Sequence, residues 1–285
     1  MKKTPFLLTL LMLAVTGIFS HVLADDRVVM TIDNKEITVD EFRYLYLKNR
    51  ENGGEELSPR DYASMYALFK MKVYEAEAAG IDTTAEFLSE LDYYCSSLES
   101  EDALLKNEYR EGILLFEISN RIVWQRAGSD TEGLQTHFEL NREKYAWEAP
   151  RAKGWLLYSD TEVTIHEANQ YLSGLEDLPD DIRPLLTEKF GNSIMANKFI
   201  ARQGINDIVD ALVFKCGNDY KLNSSWQVVG TFGCRVLDSP ETWHDVKSAV
   251  TSDYQQELTA QWEKSLLDSH KVIYNYDVID EMAGV

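Results

Sequence analysis

The sequence predicts an α+β protein in which two helical parts flank a mixed segment. Three observations predict it. Four or five amphipathic helices fall between residues 38 and 146. Strand-like and helix-like stretches alternate from Arg151 to Asp238, and after Pro240 the chain is helical again before a last strand-like run. The order helices, mixed module, helix places both helical parts in one domain with the module inserted between them. The expected boundaries are 1–24 for a leader, 25–146 for the helical domain, 151–238 for the module and 239–285 for the returning helix and strand.

The first 24 residues have the three regions of a secretory signal peptide. Lys2 and Lys3 make the charged start, Phe6 to Phe19 the apolar run, and Val22-Leu23-Ala24 the small-x-small cleavage pattern. The apolar run is too short to span a bilayer comfortably, so no integral membrane segment is expected after cleavage. Val28 to Ile32 is rich in β-branched residues and precedes the turn Asp33-Asn34-Lys35, which reads as an opening strand. Thr38 and Glu41 form a capping box that starts a helix through about Arg50, broken by Asn52-Gly53-Gly54. Ser58 caps a second helix with Pro59 at its first position, where the missing N–H is harmless. That helix carries Tyr62, Met65, Tyr66, Phe69 and Val73 on one stripe and ends at Gly80. Thr83 with Glu86 opens a third helix to about Leu98, and a fourth runs from about Asp102 to Arg126. Gly128-Ser129-Asp130 breaks it, and Thr131 caps a short helix to Tyr145.

Composition changes at Trp147-Glu148-Ala149-Pro150. WLLYS reads as a strand, Ile165 to Leu175 as a short helix, and EDLPDD as a solvated loop. Ile205 to Phe214 reads as a helix or helical turn, and Trp226 to Leu237 as paired strands around Gly230 and Gly233. In the last segment Val246, Val250, Tyr254, Leu258, Trp262 and Leu266 recur every four residues. Each such step turns the stripe by about 40°, so the helix must bury it against more than one element. KVIYNYDVI then reads as a terminal strand, expected to pair with Val28–Ile32 because a lone strand leaves its backbone groups unsatisfied.

Composition bounds the function. Of 285 residues, 45% are hydrophobic and 27% charged, which is ordinary globular usage. A net charge of −20 and a pI near 4.6 argue against a nucleic-acid partner, since there are no surplus cations to release counterions. His137, His166, His244 and His270 are scattered, and Cys95, Cys216 and Cys234 have no metal-knuckle spacing, so no metal or cofactor is expected. A Cys216–Cys234 bridge stays open beside buried free thiols.

Several stretches resemble the SurA/PrsA group of exported chaperones, whose relatives carry parvulin-type prolyl isomerase modules. VVMTIDNKEITVDEF is similar to that group's opening strand, turn and first helix, and YALFKMKVYEAEAAGIDTTAEF to its second and third helices. EYREGILLFEISNRIVWQRA with TEGLQTHFELNREKY is similar to the segment leading into the isomerase module. VTSDYQQELTAQWEKSLLDSHKVIYNYDVI is similar to the returning C-terminal helix and strand. RAKGWLL resembles the parvulin opening strand and TFGCRVL its closing strand, but the two positions where parvulins carry His hold Gly154 and Arg235. VDALVFKCGND resembles the helix and turn that precede the last two parvulin strands. The resemblance implies a degenerate module with no catalytic residues, and a Gram-negative periplasmic chaperone that binds unfolded outer-membrane or secreted polypeptides. Trp155, Phe214 and Trp226 are its candidate peptide-binding residues, with Trp243 a further exposed-aromatic candidate. An active peptidyl-prolyl cis-trans isomerase and an adaptor with one fixed partner stay open as alternatives.

Overall fold

The computed structural model describes residues 25–51, 57–96, 98, 102–217, 220–222 and 225–282. The expected signal peptide, residues 1–24, and the Asn52-Gly53-Gly54 break lie outside the described residues. The chain divides into two compact units. The described residues of Met1–Asn120 and Trp262–Val285 make one, and Arg121–Gln261 make the other. Among the described residues no helix is long and apolar enough to cross a membrane. Helices with two small three-stranded sheets give an α+β fold.

In the first unit, strand β1 (Val28–Ile32) turns through Asp33 into β2 (Lys35–Thr38). The second strand is absent from the sequence reading because Thr38 also begins the helix signal. Its hydroxyl accepts the Glu41 N–H at 3.4 Å, and helix α1 (Val39–Glu51) follows directly. Helix α2 (Pro59–Ala78) starts as expected, with the Ser58 side chain accepting the Asp61 N–H. Phe42 packs edge to face against both Tyr62 and Tyr66 at 5.4 Å between centroids, while Met65 on the expected stripe points out. Helix α3 (Ala85–Ser96) is capped by Thr84, whose hydroxyl accepts the Phe87 N–H at 3.2 Å. Thr83 instead donates to the Gly80 carbonyl, so the cap lies one residue later than the sequence pattern suggests. Helix α4 (Ala103–Ser119), capped by Asp102, closes this stretch of the first unit; the π turn Asn120–Trp124 leads into α5 (Gln125–Ser129), which belongs to the second.

The C-terminal residues complete this unit. Strand β6 (Val272–Tyr274) pairs antiparallel with β1, Met30 opposite Tyr274 and Ile32 opposite Val272, giving the sheet order β2-β1-β6. The pairing expected from the sequence is present, but the terminal strand is shorter. Asn275 accepts the Ile279 N–H on its carbonyl at 3.0 Å, and helix α11 (Tyr276–Met282) replaces the rest of the strand reading. Within the first unit, Trp262 donates its indole N–H to Glu75 at 2.5 Å, and Glu263 pairs with Lys72 at 2.6 Å.

The second unit holds α6 (Thr131–Leu140), strand β3 (Arg151–Ser159), helices α7 (Glu162–Ser173) and α8 (Arg183–Phe190), strand β4 (Ile194–Arg202), the turn α9 (Asp207–Val209) and strand β5 (Val228–Leu237). Asp130, not Thr131, caps α6 by accepting the Gly133 N–H at 2.8 Å. The sheet order is β4-β3-β5, all antiparallel. Trp226–Leu237 therefore contributes one ten-residue strand rather than a hairpin, and the partner that the sequence reading left out is β4. One face packs Trp155 and Leu157 against Ala168, Leu172 and Leu186. The other packs Ala152 and Leu156 against Val209.

The long helix α10 (Lys247–Ser269) buries Val250, Tyr254, Leu258, Trp262 and Leu266, the stripe read from the sequence. Inside the second unit Tyr254 donates to Asp130 at 2.7 Å, and Glu257 pairs with Nδ1 of His137. Nε2 of His137 meets the Tyr145 hydroxyl at 3.1 Å, which in turn donates to Asp253 at 2.8 Å.

A buried charge cluster holds α1, α2 and α4 together. Lys70, 5% exposed, pairs with Glu41 at 2.6 Å and with Glu111, and Tyr66 donates to Glu41 at 3.0 Å. Burial works against the charge on Lys70, but the two carboxylates outweigh it and hold the ammonium above its ordinary range. Glu111 moves the other way for an acid: burial pushes its carboxyl up and Lys70 only partly counters this. Glu111 therefore holds its proton more tightly than in the unfolded chain. The stability this gives is full below about pH 4.3, the unfolded glutamate value, and is lost as pH rises through the raised native value. Lys70→Met should cost about 3–5 kcal/mol in urea unfolding by leaving the buried Glu111 without its cation. Glu111→Gln should cost far less and should flatten the pH dependence above about pH 4.3.

Candidate functional site

The paired strands β3 and β5 hold the two positions where the parvulin resemblance expects His, Gly154 on the central strand and Arg235 on the outer one. Along most of its length β3 pairs residue for residue with β5, but the register shifts between Lys153 and Trp155. Lys153 lies opposite Arg235 and Trp155 opposite Phe232, so Gly233 and Cys234 together face Gly154. This is a bulge with glycine in the left-handed region, Gly233 having φ 59°. The extra residue drives Cys234 onto β3. A Cβ built on Gly154 would lie 2.7 Å from the Cα of Cys234 and closer still to its Sγ. A side chain at position 154 would therefore push Cys234 off β3, an imidazole most of all.

Position 235 is occupied differently. The Arg235 guanidinium makes a two-pronged pair with Glu241, one arm at 2.8 Å. Beside it Lys153 reaches Glu241 at 3.1 Å and Asp245 at 2.9 Å. Asp245 also accepts the N–H of Glu241 at 2.9 Å and closes a capping box with Thr242. Burial acts to raise the Asp245 carboxyl, but Lys153 and these N–H groups outweigh it and hold it below the ordinary aspartate range. Two cations and two carboxylates thus neutralise one another at the sheet edge, where a catalytic imidazole would need freedom to face a substrate.

The candidate peptide-binding aromatics do not form one surface. Trp155 is 7% exposed and belongs to the core under α7 and α8. Phe214 packs on the opposite face with Leu156 and Val209. Trp226 is half-buried and precedes β5. Trp243 is buried, its ring stacked on His244 at 3.9 Å. The three cysteines are free, so Cys216 and Cys234 form no bridge. Burial, its largest influence, raises the Cys234 thiol, and Sγ lies 3.7 Å from the Trp155 carbonyl. Among the described residues no group of His, Cys, Asp or Glu is placed to hold a metal ion.

What the sequence reading missed is an open cleft of about 640 Å³ beside β4. Trp155, Leu156 and Tyr158 line it from β3, and Asn197, Lys198 and Phe199 from β4. Asp180, Asp181 and Arg183, from the acidic loop and the start of α8, close one side. The alternation of Ile194 and Ala196 was a weak signal for that strand, interrupted by Asn197 and Lys198 before Phe199, which lies on the opposite face.

Gly154→Ala should lower stability by about 1–3 kcal/mol, the usual cost of overpacking, read by thermal unfolding. Arg235→Ala, at an exposed pair, should cost less than about 1 kcal/mol. The Asp245 contribution should be present above about pH 3.9 and lost as pH falls through its lowered native value, a slope that Asp245→Asn removes.

No family model matches the chain, and no curated protein matches it. Among solved structures the chain is similar to one of two structurally related SurA-like chaperones of Campylobacter jejuni, the virulence factor PEB4 and the periplasmic protein Cj1289. The likeness covers 87% of this chain and 98% of that one, with 13% identity and a TM-score of 0.35.

Proposed function

We propose that this protein is an exported, periplasmic chaperone of a Gram-negative bacterium that binds unfolded outer-membrane or secreted polypeptides and has weak or no prolyl isomerase activity. In this reading residues 25–146 and 239–285 form the chaperone domain, and 151–238 is a parvulin-like module that has lost its catalytic groups. The segment-by-segment resemblance of the sequence to the SurA/PrsA group supports the first part. The observation that carries the second is the bulge at Gly233–Cys234 pressed onto Gly154. Isomerisation needs the twisted amide to be stabilised more than the planar one. With glycine at 154 pressed against Cys234 and Arg235 held by Glu241, polar groups that could do so are missing from one position and engaged at the other.

Holding a client asks for apolar contact and adaptable side chains, which those two positions do not limit. Acidic chains that repel one another also stay soluble while carrying a sticky partner, and a net charge of −20 meets that need. The test is light scattering of a urea-denatured outer-membrane protein diluted into buffer with the signal-free chain. Scattering should fall as the protein approaches equimolar amounts, and a second, unrelated client should behave alike. Unchanged scattering for both clients would remove the chaperone reading, and suppression for one client alone would favour an adaptor with a fixed partner.

A further inference from the structure

Strand β4 is the outer strand of its sheet, and all nine of its residues pair with β3 without a register break. Alternate residues of such a strand turn their N–H and C=O groups away from the partner. Among the described residues none of these groups bonds to backbone elsewhere. Two usual protections of an edge are missing: Ile194–Arg202 contains no proline and no bulge. Its central lysine does not screen the edge either. Lys198 folds back over the sheet, its ammonium 3.2 Å from the Asp180 carbonyl and 5.8 Å from the centre of the Trp155 ring.

The cleft described above lies at this same place. Successive residues of β3 face opposite sides, yet the cleft touches Trp155 on one side and Leu156 and Tyr158 on the other. A cleft that reaches both faces here wraps around β4 at Asn197–Phe199. It offers room for side chains on either side of a chain lying along the edge.

We propose that β4 binds an extended polypeptide segment by strand addition, backbone to backbone, with side chains of the added strand entering the cleft on both faces. The proposal rests on the chaperone reading and names how a client is held. An open row of N–H and C=O groups is complemented by another extended backbone, whatever its side chains, which suits clients of unrelated sequence. Charge narrows the partner. Arg183 is paired with Asp181 at 2.6 Å, Lys198 donates to the Asp180 backbone carbonyl so that the Asp180 carboxylate stays free of it, and the chain as a whole is strongly acidic. The preferred segment is therefore neutral or basic.

The probe is a fluorescein-labelled nine-residue peptide of alternating threonine and valine with a lysine at each end, followed by anisotropy against the signal-free full chain. Binding should weaken at least tenfold when every inner residue is N-methylated, and severalfold when glutamate replaces the terminal lysines. Hydrogen exchange should slow over residues 194–202 on adding the unmethylated peptide. Equal binding of the methylated peptide, no binding of either, or slowed exchange confined to other elements would each overturn strand addition. Suppressed client aggregation together with unchanged exchange at β4 would sink this inference and leave the chaperone reading standing. Slowed exchange at β4 with normal client aggregation would sink the chaperone reading and leave peptide capture at the edge.

Discussion

The first unit depends on the pairing of a strand near the start of the chain with one near its end. Strand β6 has three residues, too few to hold a conformation alone, and β1 is its partner in the sheet. The turn beside them is locked from the C-terminal side. Asp33 donates its N–H to the Lys271 carbonyl at 2.8 Å, and its carboxylate accepts the Lys271 N–H at 2.9 Å and faces His270 at 2.7 Å. The Lys271 N–H and His270, in that order of influence, hold the Asp33 carboxyl below its ordinary range. Fixing β6 in turn fixes the end of α10, whose Trp262 and Glu263 reach α2. The apolar stripe every four residues follows from this role. Its winding gives Tyr254 to the Asp130 cap within the second unit and Trp262 to Glu75 within the first.

In the second unit a single extra residue has the widest consequences. The bulge at Gly233–Cys234 bends β5, presses a half-buried thiol against β3 and favours glycine at 154. It also places Arg235 opposite Lys153, a repulsive neighbour pair that Glu241 and Asp245 relieve. A sheet built in this way keeps its antiparallel frame and its two packed faces while closing the positions where the resemblance expects catalytic His.

Much of this was legible in the sequence because caps, glycines and apolar periods act locally. Ser58-Pro59 starts α2 at the residue expected, and Val28–Ile32 has the bounds read from its β-branched run. Competition between neighbouring hydroxyls is harder to read. Thr83 and Thr84, or Asp130 and Thr131, offer the same cap chemistry one residue apart, and packing chooses between them. Tertiary pairing was harder again. Gly230 and Gly233 look like a hairpin turn, but the glycine at 233 serves a bulge and the strand runs straight through both. Strand β4 was invisible because Asn197 and Lys198 break its alternation at the point where it borders the cleft. The two positions singled out for chemistry, Gly154 and Arg235, do lie close together across β3 and β5, whereas Trp155, Phe214 and Trp226 were chosen by residue type and do not share a surface.

The central claim is that the module binds without catalysing. Exchange NMR on a short peptide with one alanyl-proline bond, recorded with and without the signal-free protein, tests it most directly. Uncatalysed exchange takes tens to hundreds of seconds at about 25 °C, and addition of the protein should leave that time unchanged within a few-fold. Exchange accelerated to seconds or less, and returned to the uncatalysed time by Arg235→Ala, would contradict it.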